Sequence, residues 1–155
     1  MSETVTLSLA KLGDAERIAQ MSRDLIEVGL GWRWTAARVA TQIRCPDTCV
    51  VVARTRQRLI GFAIMHFLTV DAHLLLLAVH PSWQRLGIGQ RLIEWLEKSA
   101  RVAGITSIHL EVRASNKDAQ TFYRALGYRK TTVAPRYYNG RESALRMIHD
   151  LRVTP

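Results

Sequence analysis

The sequence predicts an α/β (α+β) fold, a mixed sheet with helices packed against it, in the order β-α-α-β-β-β-α-β-α-β-β. Three observations predict it. Short β-rich stretches, such as residues 48–53 and 59–67, alternate with segments whose apolar residues recur every three to four positions. Ile88, Leu92, Leu96, Ala100 and Ala103 form the clearest helical stripe. Turn and stop residues, among them Gly29-Leu30-Gly31, Gly104 and Gly127, fall where one period gives way to another.

Val5–Leu9 alternates and reads as a first strand. Asp14 is placed to cap a helix carrying Ile18, Met21, Leu25 and Ile26 on one face, and Gly29-Leu30-Gly31 breaks it. Thr35 is placed to cap a second helix that ends near Arg44, before Pro46. Residues 48–53 and 59–67 read as a hairpin around the basic turn Arg54-Thr55-Arg56-Gln57-Arg58. Asp71–Val79 is a further strand, closed by His80-Pro81. A helix follows over residues 87–103, with Gly104 as its stop, then a strand over 105–112. Together they form a β-α-β unit that implies a parallel, right-handed crossover. Asn116 caps a helix to Leu126, and residues 128–133 and 143–148 form a final antiparallel pair around a loop at 135–140.

The 155 residues fit one domain, residues 1–155, long enough to bury a core. With 48% hydrophobic and 23% charged residues, wholesale disorder is excluded. No apolar run approaches the ~20 residues of a membrane span. Met1-Ser2-Glu3-Thr4 lacks the basic patch and apolar stretch of a signal peptide, so a cytoplasmic location is expected. The net charge of +9 favours an anionic partner. The basic residues are scattered and not interleaved with aromatics, which argues against nucleic acid. Cys45 and Cys49 are too few for a disulfide framework, and the five histidines lack metal-ligand spacing, so no metal is expected.

Chemistry concentrates in the second half. Gln84-Arg85-Leu86-Gly87-Ile88-Gly89 is a glycine-bearing turn from a strand into a helix, where unpaired N–H groups meet the positive end of the helix dipole. Such a turn binds phosphate or simply turns. No Gly-Lys-Ser/Thr follows, and Leu92 stands where a dinucleotide loop has its third glycine. Alternation puts His109, Glu111 and Arg113 on the strand face opposite Ile108, Leu110 and Val112. A solvated glutamate and a catalytic one both fit that placement. Tyr137-Tyr138 reads either as surface aromatics or as part of a cleft. Trp32 and Trp34 fit a cleft or the core.

Leu75-Leu76-Leu77-Ala78-Val79-His80-Pro81 and Gln84-Arg85-Leu86-Gly87-Ile88-Gly89, followed by Leu110-Glu111-Val112-Arg113-Ala114-Ser115-Asn116 and Phe122-Tyr123-Arg124-Ala125-Leu126-Gly127-Tyr128, resemble the GNAT family of N-acetyltransferases. Within it they look most similar to the ribosomal-protein N-terminal alanine acetyltransferases. The resemblance covers about residues 48–150 and is looser before them. It implies a mostly antiparallel, seven-stranded sheet flanked by about four helices, and acetyl-CoA as the acetyl donor. By resemblance, the backbone of Leu77, Ala78 and Val79 pairs with the pantetheine arm, and Arg85, Leu86, Gly87, Ile88, Gly89 and Gln90 hold the pyrophosphate. Asn116 contacts the donor, Glu111 serves as general base directly or through water, and Tyr123 near the sulfur serves as general acid. Trp34, Tyr137 and Tyr138 face the acceptor.

The acceptor so implied is a primary amine, the N-terminal α-amine of a protein or peptide foremost. A small-molecule amine acceptor and a non-catalytic acetyl-CoA-binding module are the alternatives. An α-amine of pKa ~8 is about one-tenth neutral at pH 7, whereas a lysine of pKa ~10.4 is neutral about once in 2,500, so a modest base suits the former. Two features cut across the resemblance. A +9 chain repels a basic acceptor at long range. Gly31 also stands before Trp32, where those enzymes commonly carry proline.

Overall fold

Alternating β-branched and aliphatic residues make the strands, and the order in which the strands pair decides where a site can open. The computed structural model describes residues 3–56, 58–138, 140 and 142–152. Gln57 of the basic turn, Asn139 of the final loop, and residues 1–2 and 153–155 of the expected domain lie outside the described residues. The elements run β1 (Val5–Leu9), α1 (Ala15–Met21), α2 (Ala36–Arg44), β2 (Thr48–Thr55), β3 (Arg58–Phe67), β4 (Asp71–Val79), α3 (Ile88–Val102), β5 (Ser107–Arg113), α4 (Lys117–Ala125), β6 (Arg129–Tyr138) and β7 (Glu142–Asp150). This is the expected order. One seven-stranded sheet results, ordered β1-β2-β3-β4-β5-β7-β6, antiparallel throughout except for the β4–β5 pair.

Because strand side chains alternate between faces, each face of the sheet collects its own core. Val51, Ala53, Ile60 and Ala63 pack with Leu92 and Leu96 of α3. Val50, Val52, Phe62 and Ile64 pack with Ile18 and Met21 of α1 and Val39 of α2. Tyr123 of α4 joins the first cluster.

The β3–β4 register shifts between Ile64 and Met65, which leaves Leu75 as an extra residue bulged out of β4. Burial alternates without a break through the strand, yet the bulge swaps its faces. Ala72 and Leu74 lie in the α3 cluster, whereas Leu76 and Ala78 lie in the α1–α2 cluster. The parallel pairing of β4 with β5 covers only Asp71 to Leu74 against Ser107 to Leu110. Beyond the bulge the two strands part, and the remainder of β4 faces a gap in the sheet.

Three local expectations change. Asp14 precedes α1 with helical backbone angles and makes no side-chain cap there. Its carboxylate accepts the Lys11 N–H at 2.8 Å and pairs with Arg54, because a short 3₁₀ turn over Leu12–Asp14 has already begun the helix. After Met21 that helix widens into a π-turn over Ser22–Ile26. Pro135 lies inside β6, not in a loop, since the strand continues to Tyr138. β6 is an edge strand with an irregular register between Ala134 and Tyr138, the setting in which a missing N–H is tolerated. Thr35 and Asn116 cap as expected, accepting from the N–H groups of Arg38 and Ala119. Among the described residues no helix is long and apolar enough to cross a membrane.

Candidate active site

The gap between β4 and β5 opens onto a cavity of about 640 Å³ lined by residues from both faces of the sheet. Hydrogen bonding in an antiparallel ladder alternates by residue pair. The His80 N–H donates to the Ile60 carbonyl at 2.7 Å, which marks that pair as bonded. By alternation Ala78 then bonds to β3, while the N–H and C=O groups of Leu77 and Val79 point into the gap. The Gln84 side-chain amide, which donates to the Val79 carbonyl at 3.1 Å, agrees with that assignment. Of the three β4 residues singled out in the sequence, two therefore offer backbone groups, and Ala78 does not.

At the far end of the gap the chain turns through Pro81–Trp83 into α3. Arg85 and Gly87 both hold left-handed backbone, with φ of 64° and 80°. Such kinks turn successive N–H groups toward one side and form an anion-binding concavity. Gly87 also occupies the N-cap position of the fifteen-residue α3, where the first N–H groups lack helical partners. Gly89 packs closely, since a Cβ there would lie 3.1 Å from the Phe122 ring of α4 and the ring would have to shift by a few tenths of an ångström. Arg85 and Leu86 are exposed, Ile88 is buried in the core, and Gln90 donates to Glu94 at 3.2 Å. Arg91 turns away to the Val5 carbonyl.

Glu111 and Tyr123 line the same cavity from opposite faces of the sheet. Glu111 Oε1 accepts from His73 Nε2 at 2.5 Å and from the Tyr137 hydroxyl at 3.3 Å, and Arg146 lies 3.8 Å from its other oxygen. Burial alone would raise the Glu111 pKa. The His73 bond, the Tyr137 bond and the Arg146 charge outweigh it and hold the carboxyl below its ordinary range. Tyr123 is buried edge-on against Phe122 and Tyr128. Burial, and secondarily Tyr138, pushes its phenol well above the usual value. Asn116 lines the cavity, but its Oδ1 is committed to the α4 cap, leaving the amide nitrogen to donate.

The acceptor-side residues separate. Trp34 is buried and lines the cavity, with the Arg38 guanidinium 3.9 Å above its ring. Trp32 lies outside the cavity lining, its indole N–H bonded to the Ala19 carbonyl at 3.2 Å. Tyr137 and Tyr138 end β6 and stack edge-on, with ring centroids 5.0 Å apart. Glu27 holds the Trp34 loop in place: Oε1 accepts the Arg33 and Trp34 N–H groups at 2.6 and 3.1 Å, and Oε2 accepts from Ser22 at 2.7 Å. Arg113 ties the same loop to β5 by donating to the Ile26 and Val28 carbonyls, each at 2.7 Å. Removing the Glu27 carboxylate leaves three donors unanswered, so Glu27→Ala is expected to cost about 3 kcal/mol of stability in urea unfolding. A loss below about 1 kcal/mol would show the loop to be held otherwise.

Sequence reasoning did not single out His73 or Glu27, and it named Gln84 only as the first residue of the glycine-bearing turn. The signal for His73 was the crossover itself, since parallel register sets His73 beside His109 and one pleat from Glu111. His109 shares the Glu111 face but bonds to Ser107 at 3.3 Å. His80 accepts the Ser82 N–H at 3.1 Å and shapes the turn. Among the described residues, no three His, Cys, Asp or Glu side chains are placed to hold a metal ion.

Comparison with known proteins places this geometry. Residues 18–128 match the family described as Acetyltransferase (GNAT) family. A [Ribosomal protein bS18]-alanine N-acetyltransferase of Escherichia coli K12 is 38% identical over 93 residues, 58% of this chain and 63% of the relative, so the match spans under two thirds of that protein. An uncharacterized N-acetyltransferase of Methanocaldococcus jannaschii is 37% identical over 101 residues, covering 64% of this chain and 65% of the relative. The crystal structure of the Escherichia coli ribosomal-protein-S18-alanine N-acetyltransferase superposes with a TM-score of 0.81 at 27% identity, covering 98% of this chain and 97% of that one.

Proposed function

The chain belongs to the acetyltransferase (GNAT) family, and from that membership we propose that it is a single-domain, acetyl-CoA-dependent N-acetyltransferase acting on the N-terminal α-amine of a protein or peptide. One observation carries the reading. The parting of β4 from β5 leaves a strand edge that runs on toward the α3 N-terminus, and Leu77, Glu111, Asn116 and Tyr123 line one cavity beside it.

The donor side fits acetyl-CoA. Leu77 and Val79 offer backbone groups that pair with the amides of a pantetheine arm as a short added strand would. An N–H of that edge beside the thioester carbonyl stabilises the oxyanion. The turn from Arg85 through Leu86, Gly87, Ile88 and Gly89 to Gln90 holds the pyrophosphate by backbone N–H groups and the Arg85 charge. Asn116 donates from its amide. Bound acetyl-CoA supplies an activated acetyl group whose departing thiolate must be stabilised.

The amine enters from the α1–α2 face, between Trp34 and the Tyr137–Tyr138 pair. Even an unperturbed glutamate of pKa ~4.3 takes a proton from an α-ammonium of pKa ~8 only at a cost of about 5 kcal/mol. Keeping that amine neutral at pH 7 costs only about 1.4 kcal/mol. Glu111, held below the ordinary range, therefore attracts and orients the ammonium, while water carries the proton away. His73 fixes the carboxylate that does this. Tyr123, fully protonated at neutral pH, donates to the departing sulfur from the other face. The relatives named [Ribosomal protein bS18]-alanine N-acetyltransferase support a protein acceptor.

The direct test monitors CoA release against peptides varying in their first two residues, with free lysine and polyamines as comparators. Turnover of peptides is expected; robust turnover of a small amine with none of any peptide would overturn the acceptor. For the donor side, Gly89→Val drives a branched side chain into Phe122 and displaces the start of α3. Overpacking of that kind predicts about tenfold or greater loss of acetyl-CoA affinity by calorimetry. Unchanged affinity would remove the turn from the donor site.

A further inference from the structure

Charges around the acceptor end of the cavity do not balance. The carboxylates that line it are Glu27 and Glu111. Both oxygens of Glu27 are taken up by the Arg33 and Trp34 N–H groups and by Ser22. Glu111 is bonded to His73 and Tyr137, and it is the group that meets the amine. Of the lining arginines, Arg113 is spent on the Ile26 and Val28 carbonyls and lies 3.6 Å from Glu142.

Arg33 and Arg38 remain. Both are exposed, both line the cavity, and among the described residues neither guanidinium is in an ion pair. Arg38 is also fixed in direction, because its guanidinium lies 3.9 Å over the Trp34 ring. Stacking of that kind leaves the edge of the planar fork free for a carboxylate. Arg146, on β7 and outside the cavity lining, lies 5.9 Å from the Tyr137 ring and is paired with Glu111 at 3.8 Å, so it adds no unpaired charge there.

We infer that this end of the cavity is a subsite for an acidic side chain, so that the acceptor is a peptide or protein bearing Asp or Glu within a few residues of its free N-terminus. The inference rests on the N-terminal acetyltransferase reading and names the substrate class for that same site. An extended peptide advances about 3.3 Å per residue, so with its amine at Glu111 the next few side chains pass the Arg33–Arg38 wall. A basic side chain there meets two unneutralised guanidiniums and a chain whose net charge is +9.

The test uses three peptides with one common N-terminal residue and Glu, Gln or Lys at positions two to four. The expected order of kcat/KM is Glu above Gln above Lys. Exposed ion pairs of this kind predict a Glu-to-Gln ratio of about 1.5- to 5-fold, falling as salt is added. The double variant Arg33→Ala/Arg38→Ala is expected to bring that ratio close to one. Lys130→Ala, an exposed cation on the edge strand outside the cavity, is expected to keep it. A wild-type preference for the Lys or Gln peptide, or a Glu preference that survives the double variant, would overturn the subsite. Turnover of a polyamine with none of the three peptides would instead defeat the N-terminal reading, and the subsite with it.

Discussion

Replacing Glu111 by Gln is expected to lower kcat/KM for an N-terminal peptide by about 10²- to 10³-fold, the range for removing one partner of a buried, hydrogen-bonded charge pair, with acetyl-CoA affinity nearly unchanged. The side chain keeps its size, and its Oε1 can still accept from His73 and Tyr137. What is lost is the negative charge that draws the ammonium into the gap. The pH dependence gives a sharper signature. A carboxyl held below its ordinary range stays ionised from pH 5 upward, so it adds no inflection there. Activity rises with pH as the acceptor deprotonates and levels off near its own pKa of ~8. Glu111→Gln is expected to lower that profile without changing its shape. A break between pH 5 and 7 that vanishes in the variant would instead identify Glu111 as a direct base of raised pKa and contradict the account.

Tyr123→Phe is expected to lower kcat by about 10²-fold while leaving the acetyl-CoA dissociation constant within about twofold. Burial raises the phenol's pKa, so it is uniformly protonated at neutral pH and available as a donor. A thiol ordinarily has a pKa of ~8.5, below that of a phenol at ~10. Full transfer of the phenolic proton is therefore uphill, and the contribution is chiefly a hydrogen bond to the developing thiolate. Phenylalanine retains the edge-on packing against Phe122 and Tyr128, so the melting temperature should barely move. Single-turnover kinetics separate the step. A slower acetyl-transfer phase supports the assignment, whereas a normal transfer phase with slow product release would remove Tyr123 from the chemistry.

The parts of the fold set by local periodicity and local stops were legible from residues alone. The stripe from Ile88 to Ala100 gave α3, and Thr35 and Asn116 announced their helices because a side-chain oxygen three residues before an N–H acts within one turn. Asp14 was misread because a 3₁₀ turn and a distant arginine compete for the same carboxylate, and the competitor is forty residues away in sequence. The bulge at Leu75 was illegible for a different reason. It leaves the burial alternation of β4 intact and only exchanges which core each side chain enters.

The site divides in the same way. Gly87 and Gly89 stand in one continuous motif, and Glu111 and Tyr123 follow it at intervals a resemblance can carry. His73, which holds Glu111 in place, and Glu27, which holds the Trp34 loop, work across tertiary distance and have no local signature. Ala78 reads like its neighbours Leu77 and Val79 in sequence. Only the phase of the β3–β4 ladder, marked by the His80–Ile60 bond, turns its backbone groups away from the gap.

The most direct measurement of the central claim is where the acetyl group lands. A peptide with a free N-terminus and one internal lysine is incubated with enzyme and acetyl-CoA, and the product is sequenced by tandem mass spectrometry. The account predicts acetyl on the N-terminal residue, absent when that residue is blocked in advance and strongly reduced with Glu111→Gln. Acetyl on the lysine alone, or equal labelling of the blocked peptide, would contradict it.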